Sequence, residues 1–236
     1  MAEIKKILIA NRGEIVQRAV RTIREMGKKS VAVYSAGDKN ASYLKHADEA
    51  VCIGGAKSKD SYLNIPAIIT AAEMTGCDAI FPGYGFLSEN QDFVEICRLH
   101  NIKFIGPSVE VMEKMADKSK AKEEMIRAGV PVVPGSKGSV HSVTEGKKVA
   151  LEIGYPIMAK AAAGGGGRGM RLIHDESEFD QLFMAASSEA LAAFGDGTMY
   201  LERFINNPRH IEVQVVGDSH GNAIHIGERD CSLQRR

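Results

Sequence analysis

Over the first hundred or so residues, short β-branched and apolar runs alternate with amphipathic helical stretches, and this alternation constrains the chain more than any other feature. Ile7-Leu8-Ile9-Ala10, Val31-Ala32-Val33-Tyr34, Ala50-Val51-Cys52-Ile53, Ala79-Ile80-Phe81 and Phe104-Ile105 have the length and composition of strands. Between them, Ile15, Ala19, Thr22, Ile23 and Met26 recur at helical spacing, as do Ile65, Ile68, Ile69 and Ala72. Strands separated by helices, with Gly27 and Gly76 placed to end those helices, favour a parallel sheet with crossover connections over an antiparallel meander. The expected fold class is α/β, opening with a Rossmann-like parallel sheet over residues 1–107. Ligands of such sheets gather at the carboxyl ends of the strands. Asn11-Arg12-Gly13-Glu14 and Pro82-Gly83-Tyr84-Gly85-Phe86-Leu87-Ser88-Glu89-Asn90 fall there and are site candidates.

After Gly106-Pro107 the pattern changes. Residues 108–130 read as a polar, linker-like stretch with helices at 109–115 and 118–128. Pro131, Pro134, Gly135 and Gly138 follow, then a helix ending at Glu152, a strand at 156–160, a glycine run, a strand at 170–173 and an Ala- and Ser-rich helix over about 175–193. From Met199 the alternation has period two: Tyr200-Leu201-Glu202, His210-Ile211-Glu212-Val213-Gln214-Val215 and Ala223-Ile224-His225-Ile226 read as half-buried antiparallel strands, with Asp218-Ser219-His220-Gly221-Asn222 as a turn.

Bulk properties narrow the function. Thirty basic and thirty acidic side chains cancel to a formal net charge of +0, so the chain has no excess of cations for a nucleic-acid backbone. Its longest apolar runs are strand-sized and Glu3, Lys5 and Lys6 interrupt the amino terminus, which predicts neither a signal peptide nor a membrane partner and suggests a cytoplasmic protein. Cys52, Cys77, Cys97 and Cys231 lie far apart with no C-x-x-C, and are expected to be reduced core thiols. His210, His220 and His225 lack a further ligand at metal spacing, so no zinc site is expected.

The glycine run Gly164-Gly165-Gly166-Gly167-Arg168-Gly169 lies between two strands. Each ordered glycine costs about 0.5–1 kcal/mol of chain freedom, a large total against a typical stability of about 5–15 kcal/mol. A structural turn needs no such number. What the run supplies is bare backbone N–H groups that close over phosphate oxygens, with Lys160 and Arg168 flanking it as sources of charge-assisted hydrogen bonds. No helix begins after Gly169, which disfavours a dinucleotide fingerprint, and no Gly-Lys-Ser/Thr follows, which excludes a Walker loop. A phosphate-covering lid between antiparallel strands fits best.

With that loop, Ile9-Ala10-Asn11-Arg12-Gly13-Glu14-Ile15, Pro82 through Asn90, Asn207-Pro208-Arg209-His210-Ile211-Glu212 and Glu228-Arg229-Asp230-Cys231-Ser232-Leu233-Gln234-Arg235-Arg236 resemble, in order, the motifs of the biotin carboxylase family. The resemblance covers the whole chain. It implies an ATP-grasp enzyme that carboxylates biotin with ATP and bicarbonate, as in acetyl-CoA, pyruvate, propionyl-CoA and 2-oxoglutarate carboxylases. It also implies a domain order: amino-terminal domain 1–107, helical linker 108–130, ATP-grasp lid subdomain 131–203 and the start of a second, truncated ATP-grasp subdomain at 204–236. Lys118 and Lys160 resemble the lysines that hold ATP phosphates, and Gly166 and Gly167 the lid glycines. Glu202, Arg203, Phe204 and Ile205 resemble the segment that meets adenine, His210 a residue near ribose, and Gln234 one lining the nucleotide and bicarbonate end. Arg203 departs from the usual lysine, and a planar fork is not equivalent to a point charge.

The resemblance implies ATP and Mg2+ as cofactors, biotin as a carried substrate, and a biotin carboxyl carrier protein and a carboxyltransferase subunit as partners. A homodimer is expected through the α-helical face bearing Arg18, Arg21 and Glu25. Magnesium ligands and catalytic residues are expected beyond Arg236, so the chain alone is expected to be inactive. The alternatives are a nucleotide-binding or interaction module without catalysis, and another ATP-grasp ligase. The motifs at 84–90 and 228–236 disfavour the latter.

Overall fold

A computed structural model describes residues 3–116, 118–162 and 169–233. The chain divides into two compact units, Met1–Glu124 and Met125–Arg236. In the first, β1 (Lys6–Ile9), α1 (Glu14–Glu25), β2 (Lys29–Tyr34), β3 (Glu49–Cys52), α2 (Ile65–Met74), β4 (Ala79–Phe81), α3 (Gln91–Leu99), β5 (Lys103–Phe104) and α4 (Val109–Ala116) follow one another. The five strands form one sheet in the order β3-β2-β1-β4-β5, with every pairing parallel. Strand side chains alternate between faces. Leu8, Val31, Val33 and Ile80 therefore pack with Ile68, Ile69 and Ala72 of α2 and Phe93 and Cys97 of α3, whereas Ile7, Ile9, Ala32 and Ala79 pack with Val16, Val20 and Ile23 of α1. Both faces are covered, as the near-continuous apolar strand sequences require.

Helix α3 is an addition to the elements expected from sequence. Its apolar signal, Phe93, Val94 and Cys97, is short, but the Asn90 side chain caps it by accepting from the Phe93 N–H at 2.8 Å. A second departure is α4, expected to be a polar linker: Val109 and Met112 pack into the first unit's core. The cysteine expectation also divides. Cys77 and Cys97 are buried, and burial pushes the Cys97 thiol up to about 12, but Cys52 is exposed on the edge strand β3 and Cys231 is half-exposed.

Beyond α5 (Lys118–Arg127), the second unit holds α6 (Val143–Ile153), β6 (Ile157–Ala161), β7 (Met170–Ile173), α7 (Glu176–Phe194) and β8 (Met199–Arg203). Ser142 and Asp175 cap α6 and α7 through side-chain oxygens, and left-handed Gly195 (φ 75°) ends α7. The strands form an antiparallel sheet in the order β7-β6-β8. The free edge of β8 is covered by residues 134–140: the Ser136 N–H donates to Leu201 O and the Val140 N–H to Met199 O, both at 2.7 Å. Helices α6 and α7 bury one face of this sheet, where Ile157, Ala159, Ile173, Met199 and Leu201 meet Phe179 and Phe183. The approach of α6 depends on Gly146, whose missing Cβ would stand 2.6 Å from the Phe179 ring.

Strands β9 (Ile211–Gly217) and β10 (Ala223–Asp230) form a separate antiparallel hairpin. Asp218 closes its turn, accepting from the His220 and Asn222 N–H groups at 2.8 and 2.9 Å. The expectation of half-buried strands fails here. Ile211, Val213 and Val215 on one face and Val216 and Ile224 on the other are all exposed, because no helix or second sheet lies against the hairpin among the described residues.

Two outcomes follow from this packing. Replacing Gly146 by Leu should lower stability by about 1–3 kcal/mol through overpacking, read from urea unfolding. The reverse change at exposed Leu151, Leu151→Gly, should show only the loss of helix propensity, about 1 kcal/mol. In the 236-residue chain, hydrogen exchange should be far faster for the amides of β9 and β10 than for those of β1, since an uncovered two-stranded ribbon is marginal in water. Equal protection would contradict the hairpin's exposure.

Candidate functional site

In the first unit the chain leaves β1 toward β2 on one side and returns through β4 on the other, so the loops after β1 and β4 flank the point where strand order reverses. Buried Asn11 joins them. Its amide nitrogen donates to Pro82 O and Tyr84 O, each at 2.8 Å, and its oxygen accepts from the Arg12 N–H at 2.8 Å. Gly83 is needed opposite it: φ is +66°, and a Cβ would stand 2.9 Å from the Asn11 amide nitrogen. Beside this clamp the Arg12 guanidinium lies over the Tyr62 and Phe86 rings, 5.6 and 5.8 Å from their centroids, and 3.5 Å from Asp38. Burial pushes the Asp38 carboxyl up, but hydrogen bonds from Tyr62 (2.6 Å) and Ser35 (2.9 Å) and the charge of Arg12 outweigh it and hold the group below the usual carboxylate range. Tyr84 donates to Glu14 at 2.9 Å. Arg12, Glu14, Asp38, Ser42, Tyr43 and Tyr84 line an open cleft of about 590 Å³.

In the second unit the face of the β7-β6-β8 sheet away from α6 and α7 carries the alternate residues. Met158 and Lys160 of β6, Met170 and Leu172 of β7, and Tyr200 and Glu202 of β8 share it, since Lys160 stands opposite both Met170 and Tyr200, and Met158 opposite both Leu172 and Glu202. All six are partly buried. The result is a largely apolar floor with one charged pair: the Lys160 ammonium donates to the Glu202 carboxylate diagonally across the strands.

The remaining residues implicated by sequence are dispersed. Lys118 opens α5, and its side chain lies outside the described residues. Gly166, Gly167, Arg168 and Gln234 lie outside the described residues. Arg203 follows Glu202 on β8, so its side chain takes the opposite face and its guanidinium lies beside Gly154. Phe204 is half-buried after β8, with its N–H donating to Pro156 O at 3.0 Å, and Ile205 is exposed. His210 is exposed just before β9, its N–H donating to Ser232 Oγ at 3.0 Å. Arg18, Arg21 and Glu25 are exposed on α1. Sequence reading missed the floor residues Met158, Met170, Leu172 and Tyr200. Their signal was the period-two alternation itself, read two residues at a time on each strand.

Among the described residues no group of three or more His, Cys, Asp or Glu is close enough to hold a metal ion, and no helix is long and apolar enough to cross a membrane.

Residues 3–112 match the biotin carboxylase N-terminal domain, and residues 117–236 match the carbamoyl-phosphate synthase L chain ATP binding domain. A biotin carboxylase of Nostoc sp. is 59% identical over 231 residues, 98% of this chain and 52% of the relative. A crystal structure of a Campylobacter jejuni biotin carboxylase in complex with β,γ-ATP is 68% identical with a TM-score of 0.86, covering 99% of this chain and 52% of that one. The biotin carboxylase domain dimer of Hydrogenobacter thermophilus 2-oxoglutarate carboxylase, in complex with MgADP, ADP and bicarbonate, is 50% identical with a TM-score of 0.83, covering 100% of this chain and 52% of that one. This chain spans about half the length of the relatives it matches. From its sheet order to its ATP-binding region, the chain belongs to the biotin carboxylase family.

Proposed function

We propose that this chain is the nucleotide-binding half of an enzyme that uses ATP and bicarbonate to carboxylate biotin on a biotin carboxyl carrier protein, the first half-reaction of an acetyl-CoA or pyruvate carboxylase. The observation that carries the reading is the open face of the β7-β6-β8 sheet, where an apolar floor sits beside a lysine that leads into a glycine run. On this reading Lys160 and Lys118 bind the ATP phosphates, and Gly166 and Gly167 cover them. The segment from Glu202 through Arg203 and Phe204 to Ile205 meets adenine, His210 lies near ribose and Gln234 lines the far end. With Arg203 turned to the opposite face, this segment reads adenine through its backbone rather than through the guanidinium.

A bicarbonate oxygen attacks the γ-phosphorus in line, the bond to the β,γ-bridging oxygen breaks, and ADP leaves with that electron pair. The bond from carbon to the phosphorus-bearing oxygen in the carboxyphosphate product then breaks, giving carbon dioxide and inorganic phosphate, and a biotin ureido nitrogen captures the carbon dioxide as its N–H proton passes to that phosphate. Such a transfer depends on positioning and charge neutralisation. Magnesium supplies part of that neutralisation, and its ligands are assigned to the segment that relatives carry beyond the matched half. The carboxyltransferase subunit then takes the carboxyl group, in the cytoplasm, to the acyl acceptor.

Joined to the carboxyl-terminal half of the Campylobacter jejuni relative, this chain should hydrolyse ATP only when bicarbonate is present, and faster with free biotin. Lys160→Gln removes a charge-assisted hydrogen bond of about 1.5–3 kcal/mol. ATP turnover per unit KM should fall about tenfold to a hundredfold, with the thermal transition unmoved. Wild-type activity in that variant would overturn the phosphate assignment.

The exposed Arg18, Arg21 and Glu25 of α1 are proposed as homodimer contacts. Sedimentation of the joined protein carrying Arg18→Glu should show monomers, and an unchanged dimer would place the interface elsewhere.

A further inference from the structure

We infer that Glu202 is a positioning residue for Lys160: its carboxylate holds the lysine ammonium at one point of the open sheet face, so that an incoming phosphate meets a charge already in place. This rests on the assignment of Lys160 to the nucleotide phosphates and adds a role for the Glu202 side chain that an adenine-contacting segment does not require. The ammonium donates to the carboxylate directly. Glu202 is the more sheltered partner, with 18% of its side chain exposed against 36% for Lys160. Its mount is rigid, because β8 is hydrogen-bonded to β6 on one edge and bridged to Gly135 on the other, with the Arg203 N–H donating to Pro134 O at 2.8 Å.

A lysine side chain loses several rotamers when a ligand immobilises it, and pre-ordering it removes that cost from the binding step. The same arrangement, a phosphate-binding strand lysine held by a glutamate, is required for phosphoryl transfer in protein kinases. The opposing effect is repulsion between the carboxylate and the nucleotide phosphates. Lysine carries three N–H donors, so it can donate to Glu202 and to a phosphate oxygen at once, and positioning prevails.

The test uses the joined protein with ATP as probe and four variants, Glu202→Gln, Glu202→Asp, Lys160→Gln and the double Glu202→Gln/Lys160→Gln variant. Glu202→Gln keeps the shape and removes the charge. It should raise the KM for ATP about three- to tenfold with little change in kcat at saturation, and the double variant should be no worse than Lys160→Gln alone. Glu202→Asp, which retains a carboxylate, should recover part of the loss. A merely structural role would instead lower the thermal transition and give losses that add to those of Lys160→Gln. Additive losses, an unchanged KM or tighter ATP binding in Glu202→Gln would overturn the inference while leaving the phosphate assignment standing. Silence at Lys160→Gln would overturn both.

Discussion

Helices α6 and α7 cover a single face of the β7-β6-β8 sheet, and the chemistry of the second unit depends on that one-sided burial. Because the strand repeat is two residues, placing Ile157, Ala159, Met199 and Leu201 under the helices forces Met158, Lys160, Tyr200 and Glu202 to the other side. A slip of one residue would bury a lysine and a glutamate in the helix-covered core, at a desolvation cost of several kcal/mol per charge, and expose four apolar side chains. The hydrophobic pattern thus aims the charged pair without any contact to it. Edge protection works in the same direction. Residues 134–140 bond along the outer edge of β8, and its inner edge pairs with β6, so the strand that carries Glu202 is held beside the one that carries Lys160.

The first unit solves a different problem. Its sheet is covered on both faces, so only the ends of the strands remain to meet a ligand. At the carboxyl ends the backbone must turn sharply and still satisfy its polar groups. Asn11 supplies two donors to the carbonyls of the loop after β4, and Gly83 leaves the space for it. Around this clamp, the Arg12 guanidinium, two aromatic rings and the Asp38 carboxylate form a layer in which every charge has a partner. Such an arrangement keeps charged groups half-buried near a cleft at a low desolvation cost.

The positions of most elements were legible in the order of the residues. All five strands of the first sheet, the existence of its first helix and the turn at 218–222 follow from apolar periodicity and from glycine and Asx chemistry, which act within a few residues. The site was legible as motifs: Lys160 by its place before the glycine run, and the loops at 11–14 and 82–90 by their place after strands. Less legible were short signals that tertiary packing completes. Helix α3 needed the core around Phe93 to become visible, and α4 read as linker until Met112 found the first core. The hairpin misled in the opposite sense, since its alternating pattern describes what the strands can bury, while burial itself requires a partner surface.

Sequence by itself determined the α/β class, the parallel order of elements in the first unit, the strand–glycine–strand context of Lys160 and the family to which the motifs belong. These rest on local periodicity and on residue types whose backbone preferences are intrinsic. Only the tertiary structure decided that Asn11 bridges β1 and β4 across more than seventy residues, that Lys160 meets Glu202 rather than standing alone, and that Arg203 turns to the other face. Those are outcomes of register and of which face each helix covers. A side chain's partner across a sheet is set by hydrogen-bonded alignment between strands distant in sequence, and no local pattern encodes that alignment.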